Sequence, residues 1–243
     1  MKIAVFRPDD GRAAAAAETV RDLGAEPVLD PMLAVEPTGA RPREDADYAV
    51  FTSTSGVELL ADAGWTAGET TVCAIGSSTA QALREAGYEV AVVPEQYSSA
   101  GLVETLAGRV DGARIEVARS DHGSAVLLDG LEDAGAYVHE TVLYRLVRPE
   151  GAGSSADLAA RGQLAGACFT ASMTVENFLA SADERGIRPP AIAGLNDAVV
   201  GCIGEPTRER AERAGIEVDV VPEVASFEAL AEAVVERARD RRD

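Results

Sequence analysis

The chain alternates short apolar, β-branched runs with helical stretches, the pattern of parallel strands wrapped by helices. It predicts strands over 2–6, 26–30, 48–53, 71–75, 89–93, 114–118, 136–142, 166–170, 198–203 and 217–221, which make two sheets of five. A helix is expected between Gly11 and Leu23, where Ala13 to Ala17 favour it. Gly24 lies just beyond its end and accepts the left-handed dihedrals that terminate helices.

The pattern repeats. Residues 74–102, AIGSSTAQALREAGYEVAVVPEQYSSAGL, align without a gap on 202–230, CIGEPTRERAERAGIEVDVVPEVASFEAL, at a constant offset of 128. FTSTSGVELL from Phe51 matches FTASMTVENFL from Phe169 upstream of each copy. A second repeat pairs KIAVFRPDDG from Lys2 with RIEVARSDHG from Arg114. The chain therefore reads a, b, a′, b′.

Neighbouring parallel strands need a crossover, usually a helix. Ser99 to Arg109 can supply it between b and a′. Between a and b, Pro31, Pro37 and Pro42 each lack a backbone N–H and clash with a preceding helical turn, so no crossover helix is expected there. A chain that stops alternating has left one sheet for another. Unit b with a′ then makes one continuous domain, while a waits for b′. The exit after a′, TVLYRLVRPE, is also extended and ends at Pro149, so two extended linkers are expected, about 31–47 and 143–150.

Charge narrows the partners. With 243 residues, 22 Lys plus Arg against 41 Asp plus Glu, and a net charge of −19, the surface argues against nucleic acid and anionic membranes. Small molecules or proteins are the expected partners. Lys2 is the only lysine, and the acidic residues are scattered, which suggests adaptation to high salt; a GC-rich genome with a mildly acidic product is the alternative. No apolar stretch of about 18 residues occurs, and MKIAVFRPDD meets charge too early for a signal peptide, so a cytoplasmic location is expected. Cys73, Cys168 and Cys202 sit in apolar runs without a C-x-x-C pair, and His122 and His139 stand apart. Neither a disulfide framework nor a metal site is expected.

Ligands of open parallel sheets collect beyond the carboxyl ends of the strands, where helix starts present unpaired N–H groups. The loops there include Arg7-Pro8-Asp9-Asp10-Gly11, Thr52-Ser53-Thr54-Ser55, Gly76-Ser77-Ser78-Thr79, Arg119-Ser120-Asp121-His122-Gly123, Thr170-Ala171-Ser172 and Gly204-Glu205-Pro206-Thr207. Hydroxyls and amides of this kind hold carboxylates or phosphates, and helix capping asks for the same residues at the same places. No loop has the glycine spacing of a nucleotide site. Tyr144, on the extended exit of a′, suits packing or ligand contact.

In their order and spacing, FTSTSGV, AIGSSTAQALREAG, VVPEQYSSAGL, ARSDHG, GAYVHETVLYRLVRP, FTASMTVENF and CIGEPTRERAERAGIEVDVVPE resemble the uroporphyrinogen III synthase family over nearly the whole chain. The resemblance implies an α/β fold of two flavodoxin-like lobes with parallel five-stranded sheets joined by two extended linker strands. Lobe A would be 1–34 plus 150–243 and lobe B 37–147. It implies cyclisation of hydroxymethylbilane with inversion of the last pyrrole and loss of water, without metal or organic cofactor. A monomer in tetrapyrrole biosynthesis is implied, with hand-over from the bilane-forming enzyme as a further partner call. Tyr144 matches the family's tyrosine, an acid or orienting donor for the departing hydroxyl. Thr52, Ser53, Ser77, Thr79, Arg119, Thr170, Ser172, Thr207 and, more weakly, Ser98 match its substrate-contacting loops. Ser124 stands where family members often carry an arginine, and Glu205 interrupts a common Gly-Pro. The competing readings are a non-catalytic module that senses a small polyanion on the same scaffold, and a nucleotide- or flavin-dependent enzyme.

Overall fold

The computed structural model describes residues 1–8 and 12–241. Asp9, Asp10 and Gly11 of the first candidate loop lie outside the described residues. The chain divides into two units, Met1–Ala34 with Val147–Asp243, and Val35–Leu146. It opens with β1 (Lys2–Phe6), α1 (Ala13–Asp22) and β2 (Glu26–Leu29). The middle of the chain forms β3 (Ala34–Pro37), β4 (Tyr48–Phe51), α2 (Thr54–Ala63), β5 (Thr71–Ala74), α3 (Ser77–Glu85) and β6 (Val90–Val92). Then come α4 (Ser99–Leu106), β7 (Arg114–Ser120), α5 (Ala125–Asp133) and β8 (Tyr137–Val147). The remainder is α6 (Ser154–Ala160), β9 (Gly166–Phe169), α7 (Ser172–Glu184), α8 (Arg188–Asp197), β10 (Val199–Cys202), α9 (Glu205–Arg213) and α10 (Phe227–Asp240).

In the discontinuous unit the sheet order is β10-β9-β1-β2, with every pair parallel. β1 lies inside it, with Ile3 opposite Gly166 on one side and Pro27 on the other. β9 and β10 are buried throughout, as strands covered on both faces must be. Phe6 stacks on Phe169 at 4.4 Å between centroids and meets Phe178 edge-on at 5.3 Å on one face. Ile3, Val5 and Val20 pack with Leu230 and Val234 of α10 on the other. Gly201 admits α10, since a Cβ there would collide with Val234 Cγ2. Asp30, buried after β2, accepts from the N–H groups of Gly153 and Ser155 at 2.8 and 2.7 Å. Its negative charge sits where the start of α6 carries partial positive charge.

The sheets do not have five strands each. The first has four and the second six, in the order β3-β8-β7-β4-β5-β6. The strand expected over 217–221 is reduced to a bridge between Gly201 and Val220. The cause is Asp219, whose carboxylate accepts the Val200 N–H at 2.9 Å and so takes a donor from the strand edge. The linkers also differ from the expectation. No helix forms between β2 and β4, but residues 34–37 become an edge strand, and 143–147 are simply the end of the 11-residue β8. Thr38 joins them through its N–H to Leu143 O at 3.0 Å and its hydroxyl to Val142 O at 2.6 Å. Pro37 is tolerated because an edge strand leaves some backbone groups unpaired.

Candidate functional site

The chain leaves β4 through Thr52 and Ser53, both half-buried, and enters α2 at once. Ser53 caps this helix: its backbone is extended (φ −155, ψ 153) and its Oγ accepts the Gly56 N–H at 3.0 Å. The same Oγ accepts the Tyr144 hydroxyl at 2.8 Å. Tyr144 is only 5% exposed and packs with Phe51, Val57 and Leu143. Gly56 makes room for the Ser53 hydroxyl, since a Cβ there would stand 3.1 Å from Ser53 Oγ. Thus two candidates 91 residues apart in sequence share one hydrogen bond.

Arg119 is also brought to the carboxyl ends of these strands, but folded inward. It is 5% exposed, its Nε donates to Glu140 Oε1 at 2.6 Å, and its Nη1 donates to Ser124 O at 2.6 Å. Gly123 permits that pose, because a Cβ there would collide with Arg119 Cδ. Ser124 caps α5, its Oγ accepting the Val126 N–H at 3.3 Å. Asp121 ties the loop to β8: its N–H donates to Tyr144 O at 3.2 Å, and its Oδ1 accepts the Leu146 N–H at 3.0 Å. Partial burial pushes the Asp121 carboxyl up, yet the hydrogen bond to His122 and that from Leu146 outweigh it and hold the group below the usual carboxylate range.

The repeat places four helix starts in matching pairs. Gly76 and Gly204 cap α3 and α9 with the same extended backbone and no side-chain cap. Thr79 and Thr207 stand third in these helices and are buried, so neither acts as the capping residue. Ser77 and Ser78 are exposed at the start of α3, where α9 has Glu205 and Pro206. Glu205 keeps Arg208 at 3.7 Å. Ser98 caps α4 through the Gly101 N–H at 3.0 Å, and Ser226 caps α10 through the Ala229 N–H at 3.2 Å.

In the discontinuous unit Thr170 donates its hydroxyl to Phe6 O at 3.0 Å, and Ser172 donates to Pro206 O at 3.0 Å. Thr170 lines a cavity of about 470 Å³ together with Arg7, Arg12, Ser226, Phe227 and Glu228. Arg7 Cζ lies 5.4 Å from the centre of the Phe227 ring. Two guanidiniums, the Glu228 carboxylate and the start of α10 thus meet in one cavity. Sequence reasoning passed over Ser226 and Phe227, although the offset of 128 from Ser98 points to Ser226 directly.

Comparison with known proteins identifies the family. A family model described as uroporphyrinogen-III synthase HemD matches residues 14–232. The chain belongs to the uroporphyrinogen-III synthase family. A protein of Methanothermobacter thermautotrophicus, provisionally named a uroporphyrinogen-III synthase, is 32% identical over 237 residues, covering 91% of this chain and 92% of its own. Among solved structures, a substituted uroporphyrinogen III synthase of the extreme thermophile Thermus thermophilus is similar at 20% identity with a TM-score of 0.68, over 99% of this chain and 100% of its own. The uroporphyrinogen-III synthetase of Helicobacter pylori is similar at 15% identity with a TM-score of 0.62, over 98% and 100%. These two structures share the fold.

A larger cavity, about 720 Å³, opens at the amino ends of β7 and β8 among Arg43, Arg114, Glu116, Glu132, Tyr137 and His139. It lies at the end of the sheet opposite the loops carrying the candidate residues, and size alone does not assign a uroporphyrinogen-III synthase site to it. There His139 Nδ1 is 2.7 Å from Glu116 Oε2, with Glu116 wholly buried. Among the described residues no group of three or more metal-ligating side chains converges, and no helix is long and apolar enough to cross a membrane. All three cysteines are buried; burial pushes each thiol up to about 12.

Proposed function

We propose that this chain is a lyase that closes hydroxymethylbilane into uroporphyrinogen III, inverting the terminal pyrrole and releasing water, in tetrapyrrole biosynthesis. Family membership supports the reaction, and one observation carries the site: a buried phenol, Tyr144, held by Ser53 among the carboxyl-end loops of a parallel sheet. The chemical demand is small, because the bilane ionises to an azafulvene once its hydroxyl is protonated. The protein's task is to hold the chain in the ring-inverting geometry and to outrun spontaneous closure without inversion. The substrate's carboxylates suit donors such as Thr52, Ser77 and the start of α3, beside Tyr144. Arg119 spends much of its charge on Glu140, so it orders its loop more than it attracts the polyanion. The reading needs no cofactor, and takes the chain as a cytoplasmic monomer supplied by the bilane-forming enzyme.

The deciding experiment incubates the purified chain with freshly made hydroxymethylbilane and separates type III from type I isomers. Type III product above the spontaneous background is expected; type I alone would overturn the reading in favour of a binding module. The charge of −19 adds a condition. Screening within about 3 Å at 1 M salt relieves both self-repulsion and repulsion of the anionic substrate. Rate per folded molecule and melting temperature are both expected to rise from 0.1 to about 3 M KCl. A rate that falls steadily with salt would point to attraction by basic groups instead.

A further inference from the structure

Ser53 was expected to bind substrate, yet its oxygen is already engaged on two sides. The Gly56 N–H reaches it at 3.0 Å from the first turn of α2, and the Tyr144 hydroxyl reaches it at 2.8 Å from β8. Capping fixes the backbone and rotamer of Ser53, and the absence of a side chain at Gly56 spares Ser53 Oγ a tight contact at 3.1 Å. A serine hydroxyl has two acceptor sites and one proton. Both acceptor sites are used here, which leaves its own proton able to turn toward an oxygen that becomes more negative.

We propose that Ser53 is a positioning residue for Tyr144: it holds the phenol in one orientation and exchanges the direction of their hydrogen bond when the phenol gives up its proton. The inference rests on the reading of Tyr144 as the donor to the departing hydroxyl. In the reaction the Tyr144 O–H turns from Ser53 Oγ to the bilane hydroxyl and gives it its proton, and the carbon–oxygen bond breaks with its electrons leaving on water. The pyrrole nitrogen lone pair fills the carbon left behind. The Ser53 proton then turns to the phenolate oxygen, while the Gly56 N–H keeps Ser53 Oγ in place. Ring closure frees a proton from a pyrrole carbon, the phenolate takes it, and the original hydrogen bond returns. Protons and electrons balance without a further reactant. A helix start aimed at Ser53 favours the state in which the pair is negative.

The test is a double-mutant cycle with Ser53→Ala, Tyr144→Phe and the two together, with Ser53→Thr and Ser53→Gly as controls, following type III formation and melting temperature. Threonine keeps the hydroxyl, and glycine keeps most of the capping stability without it. For Ser53→Ala and Ser53→Gly, kcat is expected to fall about tenfold, within the usual span of acid–base contributions, with KM within about twofold. Ser53→Thr is expected to recover most of the rate. The double variant should be no slower than Tyr144→Phe alone, because the two groups act as one. A Ser53→Ala that raises KM and leaves kcat unchanged, or losses that multiply in the double variant, would overturn the proposal and return Ser53 to direct substrate contact. A rate loss in alanine but not in glycine would reduce Ser53 to a cap. A wild-type chain that makes no type III isomer would overturn the reading of function itself, and this one with it.

Discussion

The two copies of the repeat share backbone and diverge in what they offer a ligand. α3 and α9 begin from glycines with nearly the same dihedrals, φ −168 with ψ 176 and φ −168 with ψ 171. The first copy then exposes two serine hydroxyls, whereas the second places Glu205 and Pro206 over the same amides. A carboxylate on the helix's own first turn competes with any external anion for its partial positive charge. Further along, Ala91 of the first copy lies in a strand, while its counterpart Asp219 satisfies the Val200 N–H itself and leaves only a bridge. Duplication thus preserves the supports, and single side chains decide whether a helix start is open to ligand and whether a strand edge is extended.

The strongest way to break this comparison is at Tyr144, since the other half of the chain has no matching phenol. Tyr144→Phe is expected to lower the type III rate about 10²-fold, the contribution usual for one well-placed acid, with little change in melting temperature. An unchanged rate would leave Tyr144 as packing. Next comes Asp219→Ala, which removes the acceptor of the Val200 N–H and the partner of Arg237 and Arg241. A loss of roughly 1–3 kcal/mol in chemical denaturation is expected, with KM for the bilane unaltered. Equal stability would mean that Val220 simply pairs more closely and the carboxylate is dispensable.

Ser77→Glu would give α3 the acid that α9 already has. Like charges about 4 Å apart repel by roughly 1 kcal/mol even in water, so KM is expected to rise at least about fivefold at low salt and recover in molar KCl. Glu205→Ser should move KM the other way and by less. If Ser77→Glu binds as well as wild type, α3 is not an anion contact. The smallest effect concerns Asp121. Because folding depresses its pKa, its contribution to stability is complete above the ordinary value of 3.8 and is lost as pH falls below 3.8 through the folded value. Hydrogen exchange at the Leu146 amide should quicken, relative to neighbouring β8 amides, only in that acid range. No change on going below it, or the same change in Asp121→Asn, would remove Asp121 as the tie.

Much of this was legible in the residues, for identifiable reasons. Strand positions followed from β-branched runs bounded by glycines, and Pro31, Pro37 and Pro42 announced the missing helix between β2 and β4. The family followed from many short matches kept in order. What could not be read depended on long-range partners. Nothing near Asp219 says that its carboxylate will turn back 19 residues to Val200, and nothing near Arg119 says that Glu140 will hold it inward. The strand at 34–37 needs β8 to exist before its own weak pattern counts, so a segment rich in prolines passed for a bare linker. Ser53 and Tyr144 were both picked out, but only folding brings them to 2.8 Å.

The interior position of β1 bears on how the chain is made. Its neighbour β9 starts at Gly166, so on a ribosome adding about 5–20 residues per second the segment KIAVF waits on the order of 10 s for that side of its pairing. The unit spanning 35–146 is complete about 20 residues earlier and is expected to fold first, while the opening strand has only β2 as a partner and its other edge stays open. An apolar strand with one edge open during synthesis invites association with other nascent chains. Its neighbours in sequence soften that hazard, since Lys2, Arg7 and the acidic residues that follow flank the run with charge.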